Sequence, residues 1–342
     1  MTKKNSAPES GGMTQSAVLR SPSLYLGEVE VEETSTGTGR RFSGTWFKGL
    51  IIPLFYWTAR YTPTLIAMLP IHFLIGLLRL LYIMPGNKLR ESVEAICILA
   101  ARQGYQHNSR RVYMQYLTNL SNVFKYYLLL YRGGVEAVQG LIEITAADAQ
   151  KLDELRNEYG GVILNVPHNP GSALAGLKIN MTWPTLIISK NSSTIERTKV
   201  QLAFFERMNV QVLMVRGGNP FELSRAMFSV LKKNKVVATT LDKIDNSENG
   251  IKADIFNNKV GFSPWAAKIA VKMKVPQVPV YFASEGKFIK ARMGEPLITD
   301  DLEQAVQHYI SFFEKSIYED PAGWSFLAEK EWRRTICRFS KQ

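Results

Sequence analysis

The chain contains four histidines, and His168 is the one that follows a β-branched run, GVILNV, and precedes a stretch that reads as a helix. A neutral imidazole in such a place can take a proton from an incoming hydroxyl, which by itself is a poor nucleophile. A lone histidine is more often structural. What singles this one out is the segment NVPHNPGSA at a strand's carboxyl end, where Asn169 and Ser172 offer polar contacts to a substrate and Gly171 a close backbone approach. His72, His107 and His308 sit in apolar or helical surroundings with no loop chemistry nearby.

A reaction that develops an oxyanion also needs donors aimed at it. Lys190, Asn191, Ser192 and Ser193 close or follow the run TLIISK, and Arg216, Gly217 and Gly218 follow VQVLMV, so both groups are expected at the same rim as His168. Their bland readings are a helix N-cap segment and a turn. Lys243 and Lys259 are candidates for holding a phosphate or carboxylate, against the commoner role of solvated surface lysines. Ser172 is not centred in a G-x-S-x-G elbow, the paired glycines lack the G-x-G-x-x-G pattern, and no G-x-x-x-x-G-K-[ST] loop occurs. No clustered His, Cys and carboxylate set appears either, so neither a metal nor a redox cofactor is implied.

These residues need a scaffold, and from Gly161 onward the pattern supplies one. Short β-branched runs (GVILNV, TLIISK, VQVLMV, VVATTLD and VPQVPVYF) alternate with helical stretches after Pro170 and over residues 194–208, 221–233 and 264–274. That order predicts an α/β fold with a mostly parallel sheet flanked by helices on both faces, and ligands beyond the carboxyl ends of its strands. Upstream, Val112, Tyr116, Leu120, Val123 and Tyr127 recur at helical spacing and read as a core stripe. Residues 61–78 contain no Asp, Glu, Lys or Arg, are interrupted by Pro63 and Pro70, and are preceded by Trp46, Phe47, Lys48, Phe55, Tyr56, Trp57 and Arg60. An apolar run flanked by aromatic and basic residues suits a membrane anchor. Four segments result: a disordered tail over 1–40, rich in Ser, Thr, Gly and Glu; a membrane-associated helical anchor over 41–87; a helical segment over 88–150 packing on the core; and the α/β domain over 151–342.

The formal net charge of +12 calls for a polyanionic neighbour. Basic residues are spread along the chain without a helix-turn-helix, zinc-finger or RNP motif, so a membrane surface is favoured over DNA and no nucleic-acid partner is expected. Cys97 and Cys337 form neither a disulfide framework nor a metal spacing, which favours a reducing, cytosolic setting. The first residues lack the apolar region of a cleavable signal peptide.

Over about residues 45–335, the hydrophobic amino-terminal helix, VPHNPGSA, KKNKVVATTLDK, FNNKVGFSPWAAKIAVKMKVPQVPVYF and YEDPAGWSFLAEKEWRR follow one another in an order that resembles the lysophospholipid acyltransferase superfamily. The resemblance is to its lipid A late (lauroyl and myristoyl) acyltransferase branch in particular. It implies a glycerolphosphate-acyltransferase-like fold that moves an acyl group from an acyl carrier protein or coenzyme A thioester to a lipid or lipid-linked acceptor. The location implied is the cytoplasmic face of the inner membrane. His168 would be the general base, with Arg207 matching a family arginine and Asn169, Ser172, Asn191, Ser192, Arg216 and Lys243 contacting substrate.

The hallmark of that family is a histidine followed after four residues by Asp or Glu, and the corresponding position here is Ala173. Three explanations stand. Asp242, which ends VVATTLD and matches an acidic position of the family, can supply the carboxylate, with Asp245 and Glu248 in the same loop. Alternatively His168 works unaided, its tautomer set by Asn169, Ser172 or a backbone carbonyl. Third, the chain is a degenerate homologue that binds lipid or serves as a scaffold without turnover.

Overall fold

The computed structural model of the chain describes residues 16–20, 28–32, 60–189, 202, 205–206, 211–214, 220–233 and 235–342. Within the first 40 residues it contains two paired antiparallel strands, β1 (Ser16–Arg20) and β2 (Glu28–Glu32). The rest of the stretch read from sequence as a disordered tail lies outside the described residues; within β2, EVEVE carries the period-2 alternation of a strand.

The apolar segment forms two short helices, α1 (Thr64–Ala67) and α2 (Leu69–Leu80), with Pro63 capping the first and Pro70 in the opening turn of the second. Proline is tolerated there because the amide it lacks has no intrahelical partner. Among the described residues no single helix is long and apolar enough to cross a membrane. Helix α2 turns Ile75 inward, while Leu69, Phe73, Leu77 and Leu80 are exposed at a spacing of three or four. Helices α3 (Lys88–Arg102) and α4 (Ser109–Gly133) follow, each capped by an asparagine that accepts from the first turn. Their buried faces, including Val93, Ile96, Leu99, Val112 and Tyr116, join the main core, as the stripe predicted.

After α5 (Glu136–Gln139), strand β3 (Ile142–Glu143) enters the principal sheet at one edge. The α/β layer therefore begins before residue 151. So short a strand, half exposed, carries no periodic signal that would place it there. The chain continues through α6 (Ala146–Tyr159), β4 (Val162–Val166), α7 (Ser172–Thr182), β5 (Thr185–Ser189), β6 (Gln211–Met214), α8 (Pro220–Leu231) and β7 (Val236–Thr240). A hairpin of β8 (Ile251–Ile255) and β9 (Asn258–Phe262) precedes α9 (Trp265–Met273), β10 (Gln277–Glu285) and β11 (Phe288–Met293). Helices α10 (Leu302–Glu319) and α11 (Lys330–Phe339) close the chain. Phe256 and Asn257 both take positive φ (54° and 57°), as a two-residue hairpin turn requires.

The seven-stranded sheet has the order β3-β11-β10-β4-β7-β5-β6. The five strands from β10 to β6 run parallel, and only the β10–β11 pair is antiparallel. Side chains alternate as a two-sided sheet demands: Val162, Leu164 and Val166 of β4 belong to one apolar cluster with α7, and Ile163 belongs to the other with α8 to α11. Both faces are thus covered, and the sheet's rim is left as the place for chemistry.

Candidate active site

Strands β4 and β7 are neighbours in parallel register, with Val166 opposite Thr240. Two residues further along each strand stand His168 and Asp242, so the register alone sets them side by side although 74 positions separate them in sequence. Imidazole Nδ1 lies 2.5 Å from Asp242 Oδ1. With the carboxylate as acceptor, the ring carries its proton on Nδ1 and presents the Nε2 lone pair, which is the form a base needs.

The carboxylate is 2% exposed, and burying it without partners would be costly. Three donors offset that cost. Besides Nδ1–H, Oδ2 accepts from the His168 backbone N–H at 2.9 Å and from Trp324 Nε1–H at 2.8 Å. A second indole, Trp332, donates to the Asp242 carbonyl at 2.6 Å. The imidazole is stacked on Phe326, ring centroids 4.0 Å apart and planes 21° from parallel. Its side chain remains 36% exposed.

That exposed edge faces a cavity of about 790 Å³, within the usual range of ~300–1,000 Å³ for ligand pockets. Helix α7 lines it with one face: Ser172, Ala173, Gly176 and Ile179 recur at helical spacing. Ile187, Phe205, Trp265, Phe282 and Phe326 complete a largely apolar wall, among which His168, Ser172, Ser189, Thr239, Thr240, Lys243, Ser263 and Glu329 are polar. At Gly176 a Cβ would meet only the tip of Ile187, Cδ1, at 2.8 Å, so α7 approaches β5 closely there. The Ser172 hydroxyl donates to the Asn169 carbonyl at 3.0 Å.

An apolar cavity of this size at a parallel sheet's rim, with a carboxylate-backed imidazole in its wall, has the parts for moving an acyl chain. A family model of bacterial lipid A biosynthesis acyltransferases matches residues 137–334, more than half of the chain. The chain belongs to this family. The matched stretch runs from α5 into α11 and so contains the whole principal sheet, both dyad residues and the closing tryptophans. Membership makes the protein an enzyme of the acyltransferase kind that acts on lipids. No curated protein matches the chain.

In this acyltransferase only some of the residues singled out from the sequence reach the cavity. His168, Ser172 and Lys243 line the cavity, and Asp242 stands behind His168. Asn169, expected as a substrate contact, is 4% exposed; its Nδ2 donates to Gly323 O at 2.7 Å and its Oδ1 accepts from Phe282 N–H at 3.1 Å. Both ends of that amide are engaged by backbone, so it staples the histidine loop to β10 and to the chain's closing segment instead of facing substrate. Asn191, Ser192, Arg207 and Arg216 lie outside the described residues, as do Lys190, Ser193, Gly217 and Gly218. Lys259 pairs with Asp254 at 2.7 Å on the β8–β9 hairpin. The other histidines are accounted for locally: His72 lies within α2, Nε2 of His107 meets the Tyr318 carbonyl at 2.6 Å, and that of His308 meets Glu295 O at 2.7 Å.

Sequence reasoning gave no role to Trp324, Phe326 or Trp332. Their signal was the density of aromatic residues in GWSFLAEKEW, which resembles ordinary core until the contacts are seen.

Proposed function

We propose that this acyltransferase moves an acyl group from a thioester of acyl carrier protein or coenzyme A to a hydroxyl of a membrane lipid or lipid-linked acceptor. His168 is the general base and Asp242 its partner. Nε2 takes the acceptor's proton as the oxygen attacks the thioester carbonyl carbon. The tetrahedral oxyanion then collapses, the C–S bond breaks, and the thiolate leaves with the proton returned by the imidazolium, so that an ester and a free thiol are the products. Asp242 holds the ring in the Nδ1–H form and offsets the charge it gains, as in Asp-His pairs elsewhere.

The observation that carries this reading is the 2.5 Å contact between Nδ1 and a buried carboxylate at the cavity wall. It supports Asp242 as the stand-in for the acid absent at Ala173, and favours an enzyme over a homologue that binds lipid without turnover. Ala173 itself lines the cavity. With the acid moved to the end of β7, the α7 face beside the histidine is free to be apolar, which suits an acyl chain.

The location proposed is the cytoplasmic face of the inner membrane, and membrane attachment as such is supported by α1, α2 and the turn Leu81–Ile83 after them. Leu65, Phe73, Leu80 and Ile83 are 72%, 76%, 69% and 79% exposed, an apolar surface of a kind that soluble monomers rarely leave open. The charge of +12 suits anionic lipid headgroups and an acidic carrier protein.

The test is acyl transfer by the purified chain in detergent, with acyl-coenzyme A and acyl carrier protein thioesters as donors, read as thiol release together with new ester product. Activity in the native chain and its loss in a folded His168→Ala variant are expected. Full activity in that variant would exclude this base, and an unchanged lipid profile in cells lacking the gene would favour a binding role.

A further inference from the structure

Three consecutive residues meet the His168–Asp242 pair, each by a different bond. Trp324 Nε1–H donates to Asp242 Oδ2 at 2.8 Å, the Ser325 N–H donates to the His168 carbonyl at 2.7 Å, and the Phe326 ring stacks on the imidazole. The segment they occupy is itself anchored. From α4, Asn119 Nδ2 donates to Ala322 O at 3.0 Å and Tyr116 OH to Ser325 O at 3.1 Å. Tyr281 OH donates to Asp320 O at 2.8 Å, and Asn169 holds Gly323. Gly323 is packed so closely that a Cβ would lie 2.5 Å from the Tyr281 hydroxyl.

A buried tryptophan needs an acceptor for its N–H, and a backbone carbonyl satisfies that need. Trp332 does this with the carbonyl of Asp242, whereas the neighbouring Trp324, its ring centroid 5.0 Å away, takes the oxygen of the acid itself. The two indoles thus form an internal contrast: equal burial, the same residue as partner, different atoms. A carboxylate's last torsion is broad and roughly two-fold, so one more donor on Oδ2 decides which way the group is turned. Here two donors on Oδ2 leave Oδ1 directed at Nδ1.

We propose that Trp324 is a positioning residue for acyl transfer, its indole N–H fixing the Asp242 carboxylate so that His168 is held in the Nδ1–H tautomer. The consequence for catalysis rests on His168 serving as the base; the bond to Asp242 does not.

The test compares Trp324→Phe with Trp332→Phe in the full chain. Each loses one indole N–H and keeps an aromatic ring, but only the first removes a donor from the carboxylate. In histidine-labelled protein, with the His168 signals assigned by a His168→Gln variant, the ring nitrogen shifts should report the Nδ1–H tautomer in the native chain and after Trp332→Phe, and a mixture after Trp324→Phe. Turnover number should fall by about ten- to a hundredfold in Trp324→Phe with KM unchanged, as loosened geometry implies. In an Asp242→Asn background the same substitution should add little. Native nitrogen shifts in a folded Trp324→Phe variant, or equal effects of the two tryptophan substitutions, would overturn the proposal. Should the phenylalanine variant not fold, benzothienylalanine at 324 preserves the ring's size without its N–H and gives the same readout. Because the nitrogen shifts need no turnover, their failure is separable from an absence of acyl transfer, which would refute the preceding reading instead.

Discussion

Replacing Asp242 by Asn tests the base through its tautomer. Two N–H groups, from the His168 backbone and Trp324, converge on Oδ2. Leaving either buried donor without an acceptor costs about 1–3 kcal/mol, so the amide oxygen of the new side chain is drawn to that position. Its NH2 then lies against Nδ1, which must accept, and the ring's proton is driven to Nε2. The histidine presents a donor where the reaction needs a lone pair. An equivalent change in serine-protease triads lowers turnover by about 10⁴-fold, which at ~1.36 kcal/mol per factor of ten is about 5 kcal/mol of transition-state stabilisation. Thiol release from an acyl thioester in detergent, with a lipid acceptor present, measures it directly. Turnover should fall by at least a thousandfold while KM for either substrate changes little. A folded Asp242→Asn variant that keeps more than a tenth of the native turnover would refute the argument, because the imidazole would then have no need of this carboxylate.

Gly176→Leu should shorten the acyl chains accepted. A Cβ already meets Ile187, and excluding two methylenes at ~0.8 kcal/mol each lowers kcat/KM for the longest donor more than tenfold, read from the product distribution across donor lengths. Phe73→Glu combined with Leu80→Glu should weaken sedimentation with anionic lipid vesicles more than tenfold and leave the thermal midpoint nearly unchanged, since both side chains are exposed. Burial pushes the Cys97 thiol up to about 11, with Glu94 adding to the shift, so at pH 8 only about one molecule in a thousand carries the thiolate. Alkylation at Cys97 should be slow in the folded chain and rise by more than a hundredfold on unfolding.

Local information was enough for the scaffold. Short β-branched runs such as GVILNV and VVATTLD appear as β4 and β7, and the helical stretches around them as α7, α8 and α9, because a strand buried on both faces reads as a short apolar run and a helix is written into the spacing of its apolar residues. His168 was legible for the same reason, as a polar residue just past the end of such a run. The β8–β9 hairpin escaped notice: its strands are half polar and its turn uses Phe256 and Asn257 instead of a glycine. Asn169 was misjudged because a loop amide reads identically whether it faces a ligand or two backbone groups.

The sequence by itself determined the kind of sheet, the residue at its rim and the apolar surface near residue 70. It also narrowed the missing acid to a few carboxylates, Asp242 among them. Tertiary structure alone decided that β7 lies beside β4 while β5 and β6, which precede it in the chain, lie beyond it, and that Val166 pairs with Thr240. Strand order and register come from how helices cover the two faces and how crossovers close, and no short-range periodicity records them. The closing segment shows the same limit: Trp324 stands 82 residues from Asp242, and only the packing of α4, β10 and that segment brings its N–H to the carboxylate.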